Sequence, residues 1–545
     1  MPTDNDTHVN RRTVLKYAGT AGAVGLAGCA GDGSDGSDGS DGSDGSDGMD
    51  GDDGSDGSDG DDGMDEAFDV GVTMGQMDSG LDPQDHAETN TEIIVGQLYE
   101  GLLDRDKQGG IIAGLAEEWE RTDDGSVRFM LRDGVTFHNG DDLTAEDVRF
   151  SIRRIVFDDV SIASPQKNDL GVIDEVTTGD GEVTVSFEGF NPIAFQLFAT
   201  NGEIVQQSWI EENGSDFINR NANGTGPFRL TNYESGNQVV YEPNEEYWDG
   251  APAVDELTMS ASSESSTRVN QLLAEETDIV TNVPPNEVSR VNGSDVATIN
   301  SVPSARIIFL QMRYDVEPFS SQQFRQAMNH AVDVESIIEN VLNGFGNITS
   351  QPTLEGHVGY NPDIDPYPYD PEEAERLVEE SGHAGVEITL ETPIGRYLRD
   401  VEIAQAAANQ INSLSNVSCE VEQREFSALV QDVTAPNIED RPHFNLLGWG
   451  NGEFDGSQTM TPLLSSDGAL TVLKNDELDG LLTDAEATED PDERVGILQE
   501  ANQLAHDLAP WVFMHQQFSV YGVSSDISWE PRSDEFIDPD TATQQ

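Results

Sequence analysis

Residues 114–154, GLAEEWERTDDGSVRFMLRDGVTFHNGDDLTAEDVRFSIRR, constrain the fold more tightly than any other stretch of this chain. Val127, Phe129 and Leu131 alternate with Arg128, Met130 and Arg132, the period-2 pattern of a half-buried strand. Asp123-Asp124-Gly125 supplies the turn before that strand and Asn139-Gly140 the turn after it. Thr144 then stands as a helix N-cap, with Asp147 three residues on, where a negative charge favours the helix start. Val148, Ile152 and Ile155 follow at helical spacing. None of these residues has reactive spacing, so the stretch builds a fold and is not itself a site.

Its order of LA-x-x-W, a DDG turn, F-x-LR-x-GV-x-F and LTA-x-DV-x-F-S resembles the family 5 extracellular solute-binding proteins. These are the dipeptide, oligopeptide and nickel receptors of ABC importers. Two further blocks carry the same resemblance. One runs from Gly224-Thr225-Gly226-Pro227-Phe228 through Asn244 to Tyr247-Trp248-Asp249-Gly250. The other is the Arg325-x-Ala327-x-x-x-Ala331-Val332-Asp333 helix. The glycines of the first block are not a phosphate-binding loop, because no lysine or helix-opening Ser/Thr follows in the required place.

The resemblance implies an α/β, two-lobed periplasmic-binding-protein-like fold of type II, in the large variant with an extra inserted subdomain. Lobe I is then expected over 68–300, with the insertion over about 100–222, and lobe II over 301–515. Residues 516–545 are expected to return to lobe I. Read locally, 68–73 is a first strand and 91–103 an apolar helix. From Ile307 a strand leads to a helix whose core face is Phe324, Met328, Ala331 and Ile338. His330 reads there as a helix-packing residue rather than a metal ligand. Asp370-Pro371 and Asp490-Pro491 each set an N-cap before an N1 proline.

The front of the chain reads as targeting. Asn10-Arg11-Arg12-Thr13 resembles a twin-arginine export motif, and the apolar run 18–27 is too short and too rich in glycine and alanine to span a membrane. Leu26-Ala27-Gly28-Cys29 resembles a lipobox. Residues 1–29 are thus expected to be a lipoprotein signal, with Cys29 as lipid attachment point and the protein held at the outer membrane face. Residues 30–67 repeat Gly, Ser and Asp, a composition that buries nothing and favours a flexible, self-repelling spacer. A calcium-binding β-helix would need a periodic apolar residue that the repeat lacks. The only other cysteine is Cys419, so no intramolecular disulfide is expected in the mature chain.

The formal net charge of the whole chain is −78. Residues 68–545 alone hold 88 acidic and 24 basic residues, so the acidity belongs to the folded part as well as to the spacer. Such self-repulsion destabilises a compact state at low salt, but at about 1 M salt the Debye length falls to about 3 Å. Because the acids are spread from Asp65 to Asp540, the composition reads as salt-adapted and haloarchaeal-like, and it excludes nucleic acid as a partner.

No nucleophile elbow, HExxH, CxxC pair or P-loop is present, and the nine histidines are scattered. The chain is therefore read as a non-enzyme without cofactor or metal. Binding is assigned to two segments. In 390–399 (LETPIGRYLR) a strand gives way to a helix, and in peptide-binding relatives an arginine of this region pairs with the ligand carboxylate. Arg396 falls at the comparable place, with Arg399 as the nearby alternative and Tyr397 beside it. A guanidinium suits a carboxylate because two parallel hydrogen bonds can form.

In 444–455 (FNLLGWGNGEFD) an apolar strand enters a glycine-rich loop with Trp449, Asn451, Glu453 and Asp455. It resembles a GW-x-x-D-x-x-D-P loop in which an acid holds a peptide amine. Gly452 stands nearest the first acid and Gly456 replaces the proline, so a clamp from Glu453 or Asp455 stays open. The expected ligand is a dipeptide or oligopeptide, the expected partners a permease and ATPase, and the expected state a monomer. A nickel chelate remains an alternative, as does an oligosaccharide walled by Trp449, Tyr397 and Trp511, with a secreted hydrolase less favoured.

Overall fold

The computed structural model describes residues 68–545 apart from 78–79, 87–88 and 158–161. The twin arginines Arg11 and Arg12, Cys29 and the spacer lie outside the described residues. One sheet of eleven strands runs through the molecule. From one edge its order is Val417–Arg424, Val386–Pro393, Phe444–Gly450, Ala297–Met312, Trp511–Ser524, Ile279–Val280, Phe68–Met74, Val254–Ala261, Gln238–Pro243 and Phe228–Glu234, with Gly346–Ile348 paired beside Trp511–Ser524.

Two long strands cross from lobe to lobe. Ala297–Met312 and Trp511–Ser524 pair antiparallel, with Ala297 opposite Ser524 in lobe I and Gln311 opposite Trp511 in lobe II. Their register breaks between Pro303 and Ile307, where proline removes a ladder donor. A second register shift follows between Ile308 and Phe309.

Each lobe has its own core. Val70, Val72, Leu98, Phe228, Tyr241 and Leu257 pack in lobe I, joined by Trp529, Ile537 and Ala542 from the C-terminal segment. Phe309, Phe324, Leu390, Phe444, Leu446 and Trp511 pack in lobe II. A third core, with Val127, Phe129, Ile152 and Val185, fills the space beneath a separate four-stranded sheet. There the 114–154 stretch forms as read. Val127–Leu131 is a strand, and Thr144 and Asp147 complete a capping box for the helix Ala145–Val156.

Two expected elements differ. The helix placed at 91–103 is Thr89–Val95 only, and Leu103 already opens the next strand. The chain leaves the helix because Gln97 and Leu98 must present their carbonyls to the Phe228 and Gly226 amides, at 3.1 and 3.0 Å. That contact explains the glycines of the 224–228 block, since a Cβ on Gly224 would stand 1.9 Å from the Leu98 oxygen. The helix expected to carry Phe324 through Ile338 is two helices, Gln322–Ala331 and Val334–Asn340, because Asp333 caps the second by accepting from the Ser336 amide. His330 packs against Tyr367 and shares a hydrogen bond with the Pro368 carbonyl, a packing role as read.

Candidate functional site

The strand Val386–Pro393 ends at a proline, and residues 394–399 lead into the helix Asp400–Ile411. Asp400 shapes this loop. Its carboxylate accepts from the amides of Gly395, Arg396, Tyr397 and Val401 at 3.1, 2.7, 3.1 and 2.8 Å. Burial raises the Asp400 pKa, and those amide bonds oppose the rise. The Tyr397 hydroxyl donates to the Gly448 carbonyl at 3.2 Å, and only a residue without a side chain fits there, since a Cβ at 448 would come within 2.6 Å of both the Tyr397 ring and Ile308. Arg396 then lies 5.1 Å from the Tyr397 ring centre and 5.3 Å from that of Phe426, within cation–π range. Burial, and then the charge of Arg306, push Arg396 down to about 10. Arg399 adopts a left-handed backbone (φ 61°) and pairs with Glu402 at 3.0 Å.

Arg396 and Tyr397 face a cavity of about 810 Å³ between the lobes. Lobe I contributes Met74, Thr89, Ile93 and Arg268, the crossing strand 517–521, and lobe II the 394–402 segment with Phe426. A smaller space of about 80 Å³ adjoins it, bordered by Thr200, residues 450–452 and Asp534. Thr89, Arg306 and Glu535 border both. Such a walled space with a few charged groups is what a small-molecule site requires. A further hollow of about 680 Å³ beside Pro303 and Phe454 has Lys107 and Glu530 facing each other at 3.5 Å.

The second predicted segment is placed differently. Trp449 is 3% exposed in the lobe II core, and its indole N–H donates to the Gln458 carbonyl at 3.0 Å. Asp455 is fully buried and held by Arg494 through two bonds of 2.6 and 2.8 Å. It also accepts from Ser457. Glu453 is likewise buried, within electrostatic reach of Arg105. Asn451 borders the small space, yet its amide N–H₂ donates inward to the Asp455 carbonyl and the Thr459 hydroxyl. Of the six predicted ligand residues, Arg396 and Tyr397 line the main cavity and Asn451 its annex. Trp449, Glu453 and Asp455 are buried and border neither space, with Trp449 and Asp455 hydrogen-bonded inside lobe II. Trp511, stacked on Phe309 at 3.9 Å, is also core, so of the three aromatic residues expected to wall a sugar only Tyr397 lines the cavity, beside Phe426, Phe518 and Tyr521.

Sequence reasoning missed Arg306 and Glu535. Arg306 donates to both Glu535 oxygens, at 3.3 and 2.9 Å. An arginine immediately before the apolar run from Ile307 was a usable signal, whereas one glutamate among 88 body acids was not. Among the described residues no group of His, Cys, Asp and Glu is arranged to hold a metal ion. Cys419 is buried and its thiol is pushed up to about 12, which leaves it unreactive. Among the described residues no helix is long and apolar enough to cross a membrane.

Two lobes joined by crossing strands, with a charged cavity between them, have the architecture of a small-solute receptor. The family described as bacterial extracellular solute-binding proteins, family 5 (middle), matches residues 110–471. Heme-binding protein A of Haemophilus influenzae is 25% identical over 451 residues, covering 76% of this chain and 81% of its own. The dipeptide-binding protein of Escherichia coli is 26% identical over 445 residues, covering 73% and 80%. The crystal structure of an ABC transporter substrate-binding protein, CtaP, from Listeria monocytogenes superposes with a TM-score of 0.79 at 21% identity, covering 88% of this chain and all of the other. The chain belongs to the family 5 extracellular solute-binding proteins.

Proposed function

We propose that this protein captures a peptide-like solute, a dipeptide or oligopeptide, between its lobes and delivers it to the permease and ATPase subunits of an ABC importer. The observation that carries the reading is Arg396, fixed in the cavity wall by Tyr397, Phe426 and the Asp400-bound loop. A guanidinium so held is pre-organised for a carboxylate. Similarity to a dipeptide-binding protein supports the same ligand class. Ligand contact with both walls favours the closed arrangement, and closure is the signal a permease reads. The protein acts by binding and does no chemistry on its solute.

The sequence at 10–29 supports export through a twin-arginine signal and tethering through Cys29, with residues 30–67 as spacer and the receptor acting as a monomer at the outer membrane face. The acidity of the body supports operation in concentrated salt.

Thermal unfolding of the full chain in molar KCl, followed against free, C-terminally amidated and oligosaccharide solutes and a nickel chelate, tests the ligand class. A ligand at a hundred times its Kd adds about 2.7 kcal/mol of stability. Free peptides are expected to raise the transition temperature and their amides to raise it less. A shift with sugar or nickel chelate alone sinks the peptide reading.

A further inference from the structure

The main cavity and its annex meet at Thr89, Arg306 and Glu535. Of the Arg306–Glu535 pair, the arginine side chain is 6% exposed and the glutamate 20%. Both residues border the two spaces, and the acid is the more accessible of the pair. Arg306 occupies two of the roughly four acceptor positions that a carboxylate offers. Acceptor capacity therefore remains on a carboxylate that lines the cavity.

Glu535 is also held in place. Its backbone is left-handed (φ 74°), a conformation that a non-glycine residue keeps only where its surroundings enforce it. On one side the Ser533 carbonyl accepts from the Ala305 amide at 2.9 Å, within the register break of the crossing strands. On the other, Arg532 grips Asp534 at 2.6 Å and Asp538 at 2.9 Å.

The other acids bordering the two spaces are committed elsewhere or lie at the rim. The Asp534 side chain is 1% exposed under Arg532. Asp400 is bound to four amides of its own loop. Glu402 pairs with Arg399 at 3.0 Å, Glu287 with Arg290 at 3.1 Å, and Glu92 lies 3.3 Å from His86. Glu264 is exposed at the lobe I rim.

We propose that Glu535 is a specificity-determining residue of the cleft, whose carboxylate receives a cationic group of the solute while Arg306 holds it in position. The inference rests on the peptide reading and deepens it. The solute it selects carries both charges, an ammonium for Glu535 and a carboxylate for Arg396. Those two side chains stand close enough to perturb each other electrostatically.

Calorimetric titration of the full chain in molar KCl, with the tightest-binding member of a free dipeptide panel and its N-acetyl form, tests this. N-acetylation removes the cation and is expected to weaken wild-type binding about tenfold or more, the scale of one charge-assisted hydrogen bond. In Glu535→Gln the two forms should bind within about threefold of each other. Glu535→Asp, which keeps the charge but withdraws it by one methylene, should give an intermediate ratio, and Glu92→Gln should keep the wild-type ratio. The wild-type comparison needs no variant to fold. If no free dipeptide binds the wild type, the peptide reading fails and this inference falls with it. If dipeptides bind but N-acetylation costs nothing, or Glu535→Gln keeps the full penalty, the receptor reading stands and the role of Glu535 is overturned.

Discussion

The loops 394–400 and 449–456 look alike in sequence. Each follows a strand, precedes a helix, and carries an aromatic residue, glycine and acid. The structure puts them to opposite uses. In the first, Asp400 turns inward onto its own loop amides, and the basic Arg396 is left toward the cavity. In the second, Asp455 turns inward onto Arg494, and the tryptophan goes with it into the core. Loop composition therefore does not decide which side chain lines the cavity. What decides it is where each buried charge finds its partner.

Cutting the internal partnership of the second loop should have the largest effect. Asp455→Asn leaves Arg494 buried without its counter-charge, a change that typically costs about 3–5 kcal/mol. Urea unfolding should show that loss, while peptide affinity of the remaining folded protein stays within about twofold. An equal loss of affinity would put Asp455 back at the ligand.

Arg396→Ala should behave in reverse. Free-acid peptides are expected to lose about ten- to a hundredfold in affinity, amidated ones far less, with little change in urea midpoint. Loss of folding without loss of free-acid preference would make Arg396 merely structural.

His357, whose ring centre is 4.8 Å from that of Phe454 in the second loop, sharpens the contrast through pH. Burial pushes it down to about 3 from an ordinary 6.5. Between those values the unfolded chain binds the proton and the folded one does not, so this contribution to stability is lost as pH falls below 6.5. The slope contributed by one site is at most about 1.4 kcal/mol per pH unit. Wild type should lose stability faster than His357→Gln between pH 6.5 and 4, and parallel curves would refute the assignment.

The smallest effect is expected at Thr200, whose hydroxyl proton is shared between the Gln196 and Gly452 carbonyls, at 3.1 and 3.2 Å, the latter in the second loop. Thr200→Val should cost about 1 kcal/mol in thermal unfolding, with the peptide preference unaltered. A changed free-acid preference would mean that the tie shapes the site.

The same contrast shows how far the chain could be read in advance. The capping box of Thr144 and Asp147 spans three residues, so its logic is local and was legible. The N-caps Asp370 and Asp490 were legible for the same reason. The pairing that removes Asp455 from the site joins positions 39 apart, and that of Arg306 with Glu535 spans 229. No local pattern announces either. The shortened helix at Thr89–Val95 has the same origin, since its end is set by backbone bonds to residues 226 and 228. Arg396 was singled out by the resemblance, with the scarcity of cations in this body adding weight, and it does line the cavity.

Backbone hydrogen exchange of the full chain in molar KCl, with and without a saturating free dipeptide, tests the division of labour most directly. Amides at 394–401 and around 535 should gain protection on binding, while those at 449–456, already bonded within lobe II, should stay unchanged. Protection gained at 449–456 and absent at 394–401 would contradict the account and return the binding site to the loop assigned here to the core.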